Sequence, residues 1–286
     1  MGIALGLTAA LSWGLADYVA ALASRRAGSF PVVLGFHLGA MVLLGALLVA
    51  TGEGVTDVSS GDLAWLAFVG LLGSLSYLAF YRALAIGPIS IVSPIVSAYA
   101  AVTVVCAVLI GGERLAAGET TAILVVLLGV LLASSDLAQI SALERVALLG
   151  ILLALVTAVL IGSFVYGVAY FSADYGWLVP IFLARGFSTL FLLAFSLRGA
   201  SWRLEDRSRR VLAMIGLIAV VDTLGYVAFN VGVRHADTAV VATAAAPYSV
   251  VPIVAGVLLL HERPRTTQWT GIGLVLAGLV LLGTTA

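Results

Sequence analysis

Hydrophobic positions in this chain follow neither the two-residue period of a strand nor the one-sided stripe of a soluble helix. They run nearly unbroken for about twenty residues at a time between short polar interruptions, and each run can cross the roughly 30 Å hydrocarbon layer as a helix. Backbone polar groups in that layer must be satisfied within the protein, which leaves helices once the alternation of a barrel strand is missing. The interruptions predict ten spans: 2–23, 31–51, 63–86, 88–111, 119–135, 146–171, 176–197, 209–233, 238–260 and 266–285. Connections are short, except an acidic stretch at 51–62 (Glu53, Asp57, Asp62) and a basic one at 198–210.

The chain is also written twice. Residues n and n + 149 match without a gap at Pro31/Pro180, Tyr77/Tyr226, Phe80/Phe229, Tyr99/Tyr248, Glu113/Glu262, Arg114/Arg263 and Gly129/Gly278. This divides the chain into repeats at 1–137 and 146–286 of one membrane domain. Five spans per repeat is an odd number, so the second copy enters the membrane from the opposite side. The expected fold is an all-α integral membrane protein, two inverted five-helix repeats around a central cavity, as in many secondary transporters.

Composition agrees: 62% of residues are hydrophobic, 10% are charged, and mean hydropathy is +1.19. Net charge is zero, so nothing points to nucleic acid. The single cysteine, Cys106, excludes an intrachain disulfide or a cysteine-based metal cluster. The first span is too polar in its middle and too poor in flanking basic residues for a cleaved signal peptide.

Arginine placement tests the count. Connections after the odd-numbered spans carry Arg25, Arg26, Arg82, Arg145, the five arginines of 198–210, Arg263 and Arg265, whereas those after even-numbered spans carry only Arg114 and Arg234. By the positive-inside rule the odd connections face the cytoplasm and both termini lie outside, in a multi-pass protein of the cytoplasmic (inner) membrane.

Several local motifs recur at the same offset. Gly112-Glu113-Arg114-Leu115 ends span 4 and is followed by Leu128-Gly129-Val130; His261-Glu262-Arg263-Pro264 and Ala277-Gly278-Leu279 repeat the pattern. Trp13-Gly14 lies early in span 1, and Tyr99 and Tyr248 stand fourteen residues before the glutamates. With these features the whole chain resembles the EamA family of the drug/metabolite transporter superfamily. It departs in having Ala100 and Ser249 where a proline follows the tyrosine, and in an acidic loop after span 2. Its arginine distribution is also opposite to the cytoplasmic termini described for relatives. The resemblance implies a ten-helix carrier with a central cavity.

A charge at the bilayer centre costs at least ~2.5 kcal/mol, so polar residues within spans mark either function or pairing. Asp17 lies four residues after Trp13 on one face of span 1. It is read either as an acid that titrates or binds a cation, or as one neutralised by Arg25 or Arg26. Asp222, Tyr226 and Asn230 form a stripe at steps of four on span 8, faced by Tyr77 and Tyr81 on span 3. This is read as two walls of one cavity, or as an interhelical hydrogen-bond network. Arg185, in span 7, is expected to pair with Asp17 or Asp222, permanently or as a switch. His37 is read as a hydrogen-bonded bundle residue or a proton relay, which makes Asp17, Asp222 and His37 the proton-coupling candidates.

Trp13, Tyr77, Tyr81, Tyr99, Tyr226 and Tyr248 are the candidate aromatic lining, with Tyr166 and Tyr170 also considered. Trp65, Trp177, Trp202 and Trp269 read as interface anchors. Pro94, Pro247 and Pro252 are candidate gating kinks in spans 4 and 9. Glu113, Arg114, Glu262 and Arg263 read as structural helix-end groups.

No catalytic, metal-binding or nucleotide-binding motif is present, so neither an enzyme nor a cofactor is expected. The expected function is a secondary transporter moving a small metabolite or an amphipathic or cationic compound by alternating access, with proton-coupled export as one form. A lipid-flipping or lipid-presenting protein is the alternative. The expected partners are a small-molecule substrate and membrane lipid. A duplicated chain holds both halves, so the monomer is expected to work alone, with a dimer left open.

Overall fold

A computed structural model describes residues 1–55, 58–87, 89–134, 145–197, 203–251 and 266–285. Pro252, Glu262 and Arg263 lie outside these residues, as does Trp202. The described chain is helical: α1 (Gly2–Ala27), α2 (Ser29–Thr51), α3 (Ser60–Ile86), α4 (Ile89–Ser97), α5 (Tyr99–Leu109), α6 (Ala117–Ser134), α7 (Arg145–Tyr175), α8 (Val179–Leu197), α9 (Arg209–Gly232), α10 (Thr238–Ala245) with a 3₁₀ turn (Ala246–Ser249), and α11 (Thr266–Thr285). Among the described residues, six helices are long and apolar enough to cross a membrane, and shorter apolar helices accompany them.

Eight of the ten predicted spans are single helices. The other two are broken at equivalent places. Span 4 divides at Ala98, and span 9 gives way to the 3₁₀ turn that contains Pro247. Ala98 and Pro247 are 149 residues apart. Proline accounts for the second break because it cannot donate to the preceding turn. The first falls four residues after Pro94, where the Ala98 amide donates to the Ile95 carbonyl (3.2 Å) in a tightened turn.

Local start signals repeat as well. Ser59 caps α3 by accepting from the Asp62 amide (3.1 Å), and Ser208, its counterpart at n + 149, caps α9 by accepting from the Val211 amide (3.4 Å). The packing follows the same symmetry. α1 lies along α9 as α7 lies along α3, α2 packs on α9 as α8 packs on α3, and α6 and α11 pair beside the main bundle. With five spans in each half, these equivalent pairs run in opposite senses across the membrane, so the repeats are inverted. The glycines of the repeated motif sit at the α6–α11 crossing: a Cβ on Gly129 would stand 2.6 Å from the Val275 amide nitrogen, and one on Gly278 2.9 Å from that of Val126.

The two ends of the bundle are tied differently. At the arginine-rich end, Arg25 donates to the carbonyls of Leu84 (3.2 Å) and Gly87 (2.8 Å), joining α1 to the end of α3. At the other end, the Glu113 carboxylate accepts from the amides of Thr238 (2.9 Å) and Ala239 (3.0 Å), joining the end of span 4 to the start of α10. That carboxylate satisfies two of the free donors at a helix N-terminus. Arg114 beside it is exposed.

Gly278→Val should overpack the α6–α11 crossing and cost about 1–3 kcal/mol. Gly216→Val, at a position with nothing within 4 Å of the added Cβ, should leave stability unchanged. Thermal unfolding of the detergent-solubilised variants measures both.

Candidate functional site

Arg185 is 1% exposed in the middle of α8. A guanidinium there must have both its charge and its donors satisfied by protein. It forms a buried salt bridge with Asp222 of α9. It also donates to the Tyr77 hydroxyl (2.8 Å), which in turn donates to the other Asp222 oxygen (2.9 Å) and lies 3.3 Å from the Tyr226 hydroxyl. The rings of Tyr77 and Tyr226, equivalent residues of the two repeats, each lie 4.7 Å from the guanidinium carbon, and Phe36 (5.5 Å) and Phe164 (6.0 Å) extend the cage. Such cation–π contacts contribute about 0.5–2 kcal/mol each when desolvated.

His37 completes the arrangement. Its Nδ1 lies 2.9 Å from the Val33 carbonyl, which can only accept, and its Nε2 lies 3.4 Å from Arg185 Nη1, which can only donate. The ring is therefore the neutral Nδ1–H tautomer. A second proton would place an N–H against the guanidinium. His37 sits behind the ion pair and is not among the cavity-lining residues.

Asp17 stands apart from this pair. It is 7% exposed and, among the described residues, accepts a hydrogen bond from the Ser93 hydroxyl at 3.3 Å. Arg185 binds Asp222, and Arg25 is used at the end of α3, so neither of these arginines neutralises Asp17. Arg26 is exposed. The Ser93 carbonyl accepts from the Tyr248 hydroxyl (3.3 Å), so Asp17 sits where α1 meets the two broken spans.

Asp17 and Asp222 face one cavity, together with Trp13, Tyr77, Tyr81, Tyr99, Tyr226 and Tyr248. Its volume is about 30 Å³. That is room for one or two waters and too small for an organic substrate. The conformation is closed around the site. Two donors on its wall, Trp13 Nε1 and the Tyr99 hydroxyl, are buried without a partner among the described residues. Asn230 lies one turn beyond Tyr226, fully buried, with neither amide atom bonded among the described residues.

The structure thus brings Trp13, Asp17, Tyr77, Tyr81, Tyr99, Asp222, Tyr226 and Tyr248 into one cavity, with Arg185 and His37 behind its wall. Pro94 lies within α4 and Pro247 in the 3₁₀ turn. Tyr166 and Tyr170 lie elsewhere, as do the surface residues Trp65 and Trp269. Sequence reading missed Ser93, Phe36 and Phe164. Phe36 carried a usable signal, since it is the repeat counterpart of Arg185. Ser93 and Phe164 carried none, because one hydroxyl or ring in an apolar run looks like any other.

Inverted five-span repeats, two spans broken at the same level and an aromatic cavity holding two acids at that level define a multi-pass membrane transporter. The chain belongs to the EamA-like transporter family, whose sequence profile matches it twice, over residues 1–135 and 148–284. Members of this family move small molecules across membranes and are not enzymes. One crystal structure of a protein aligns with 98% of this chain and 95% of its own at TM-score 0.76 and 17% identity, a likeness of fold. No curated protein matches the chain.

Removing one partner of the buried pair, by Arg185→Leu or Asp222→Leu, should destabilise the protein by about 3–5 kcal/mol, and the double variant should recover much of that loss. Asn230→Leu should leave the melting temperature unchanged or higher, because it removes unpartnered buried polar atoms while keeping the shape. Thermal unfolding of the four purified variants tests both expectations.

Proposed function

We propose that this protein is a secondary carrier that exchanges small amphipathic cations for protons across the cytoplasmic membrane by alternating access. The observation that carries this reading is the division of labour between the two acids. Asp222 is neutralised by Arg185, whereas Asp17 faces the aromatic cavity with a hydroxyl as its hydrogen-bond partner. A buried carboxyl without a counter-ion is stabilised by taking up either a proton or a cation. One group that accepts one or the other, but not both, exchanges the two. Flat aromatic walls suit the apolar body of such a cation and attract its charge. A cavity enclosed by rings favours a solute over a lipid.

The closed cavity requires rearrangement before a substrate can enter. Spans 4 and 9 are natural hinges, broken at matched positions beside the site; discontinuous helices at midplane binding sites are a transporter device. The arginine bias orients the connections after odd-numbered spans to the cytoplasm. Both halves of the site come from one chain, so a monomer suffices.

The test is uptake into proteoliposomes under an imposed pH gradient, with a panel of organic cations and amino acids. Wild type should accumulate a cation, and Asp17→Asn should lose gradient-driven uptake. Asp222→Asn, judged only where its size-exclusion profile is native, reports on the paired acid. Retention of gradient-driven uptake by both variants would refute proton exchange, and uptake confined to anionic or neutral solutes would refute the cation assignment.

A further inference from the structure

The two ends of the bundle are in different states. α1 packs against α3, whereas their repeat counterparts, α7 and α9, meet far less. Along the end of α1, Ala20, Ala21, Ala23 and Ser24 are buried. The counterparts of Ala21 and Ser24 are Tyr170 and Ala173, and both are exposed. They line a cleft of about 520 Å³ between the C-terminal part of α7 and the turn after α9, where Asp174 and Arg234 are exposed as well. One end is shut and the other stands open to solvent.

Arg25 accounts for the difference. It donates to the carbonyls of Leu84 (3.2 Å) and Gly87 (2.8 Å), bridging α1 and the end of α3. The counterparts of these three residues are Asp174, Val233 and Ala236. A carboxylate has no proton to give a carbonyl, so the second repeat cannot form this tie. Two charge-assisted bonds therefore hold one end, with no equivalent at the other. Beside Arg25, the Ser24 hydroxyl is buried without a partner among the described residues. Opening this end would give it water. Ser24 follows Asp17 by seven residues on the same face of α1, so an opening that reaches Ser24 leads toward the central acid.

The fold also carries an axis on which the ends can exchange states. Equivalent residues that touch each other lie on the pseudo-two-fold axis. The Tyr77 and Tyr226 hydroxyls do so at 3.3 Å, and the Tyr99 and Tyr248 rings at 5.8 Å. At the α6–α11 crossing, Gly129 faces Val275 as Gly278 faces Val126. Such contacts map onto themselves when the two repeats exchange conformations. α1 can then leave α3 while α7 closes on α9, with these pairs kept as the pivot.

We infer that Arg25 is the latch that keeps the arginine-rich end shut. Its release opens the central cavity on that side while the cleft on the other side closes. This rests on the alternating-access reading and on no particular cargo.

The experiment compares maleimide labelling rates of single cysteines in a Cys106→Ser background: Ser24→Cys at the shut end and Ala173→Cys in the cleft. The protein is purified in detergent, so that reagent reaches both ends. Ala173→Cys should label fast and Ser24→Cys slowly. Arg25→Gln should raise the Ser24→Cys rate about tenfold, the order expected for losing a charge-assisted hydrogen bond, and should lower the Ala173→Cys rate. Arg25→Lys, which keeps a donor, should restore much of the original difference, and Arg26→Gln at the exposed neighbour should change neither rate. Asp174→Arg transplants the tie to the other repeat at an exposed position, and should raise the Ser24→Cys rate even where Arg25→Gln fails to fold. A Ser24→Cys rate that ignores both substitutions would overturn the latch. So would a rise in Arg25→Gln with no fall at Ala173→Cys, which is local fraying. Reciprocal labelling without cation–proton exchange would keep the latch and refute the cargo proposed above. Exchange with labelling that ignores both substitutions would refute the latch alone.

Discussion

A guanidinium buried in the middle of a membrane helix sets the terms for the centre of this protein. Arg185 cannot stay there uncompensated, so three other helices each give it a partner: Asp222 from α9, Tyr77 from α3 and His37 from α2. Breaking such an arrangement leaves an uncompensated charge, which is why buried pairs specify geometry more than they add stability. Its first consequence is to consume Asp222. Its second is to leave Asp17 as the acid on the cavity wall without a guanidinium partner among the described residues.

The scaffold is symmetric and the chemistry is not. Tyr77 and Tyr226 flank Arg185 at equal distances, as repeat-related residues should. The counterpart of Arg185, however, is Phe36, that of Asp222 is Gly73, and that of Asp17 is Tyr166. Gly73 cannot carry a side chain, because a Cβ would stand 2.8 Å from the Phe164 ring and from the Ser188 hydroxyl. Duplication supplied two matching walls, and their charges stand at non-equivalent positions, Asp17 in the first copy and Arg185 and Asp222 in the second. The two ends also differ: Arg25 ties one, and Glu113 holds the start of α10 at the other.

Much of the fold was legible because lipid imposes a coarse rule. A run of about twenty apolar residues has few alternatives to a helix. The spans, the inverted repeat and the membership of one polar cluster follow from that rule and from the 149-residue register. The cap at Ser59 even reappears at Ser208. Less legible was the break at Ala98, where no proline stands; its position became clear only beside its partner at Pro247.

By itself the sequence determined the class of protein, the number of spans and the set of polar residues that had to find one another, because the cost of burying charge in lipid can be read from composition and spacing. Only the tertiary structure decided the pairing. Arg185 could reach Asp17 or Asp222 on equal sequence grounds, and the packing of α8 against α3, with α9 on α2, selected Asp222. Likewise, Glu113 and Asp237 are both acids near a helix end in the sequence. The approach of span 4 to α10 let Glu113 take the Thr238 and Ala239 amides, while Asp237 at the N-cap makes no capping bond.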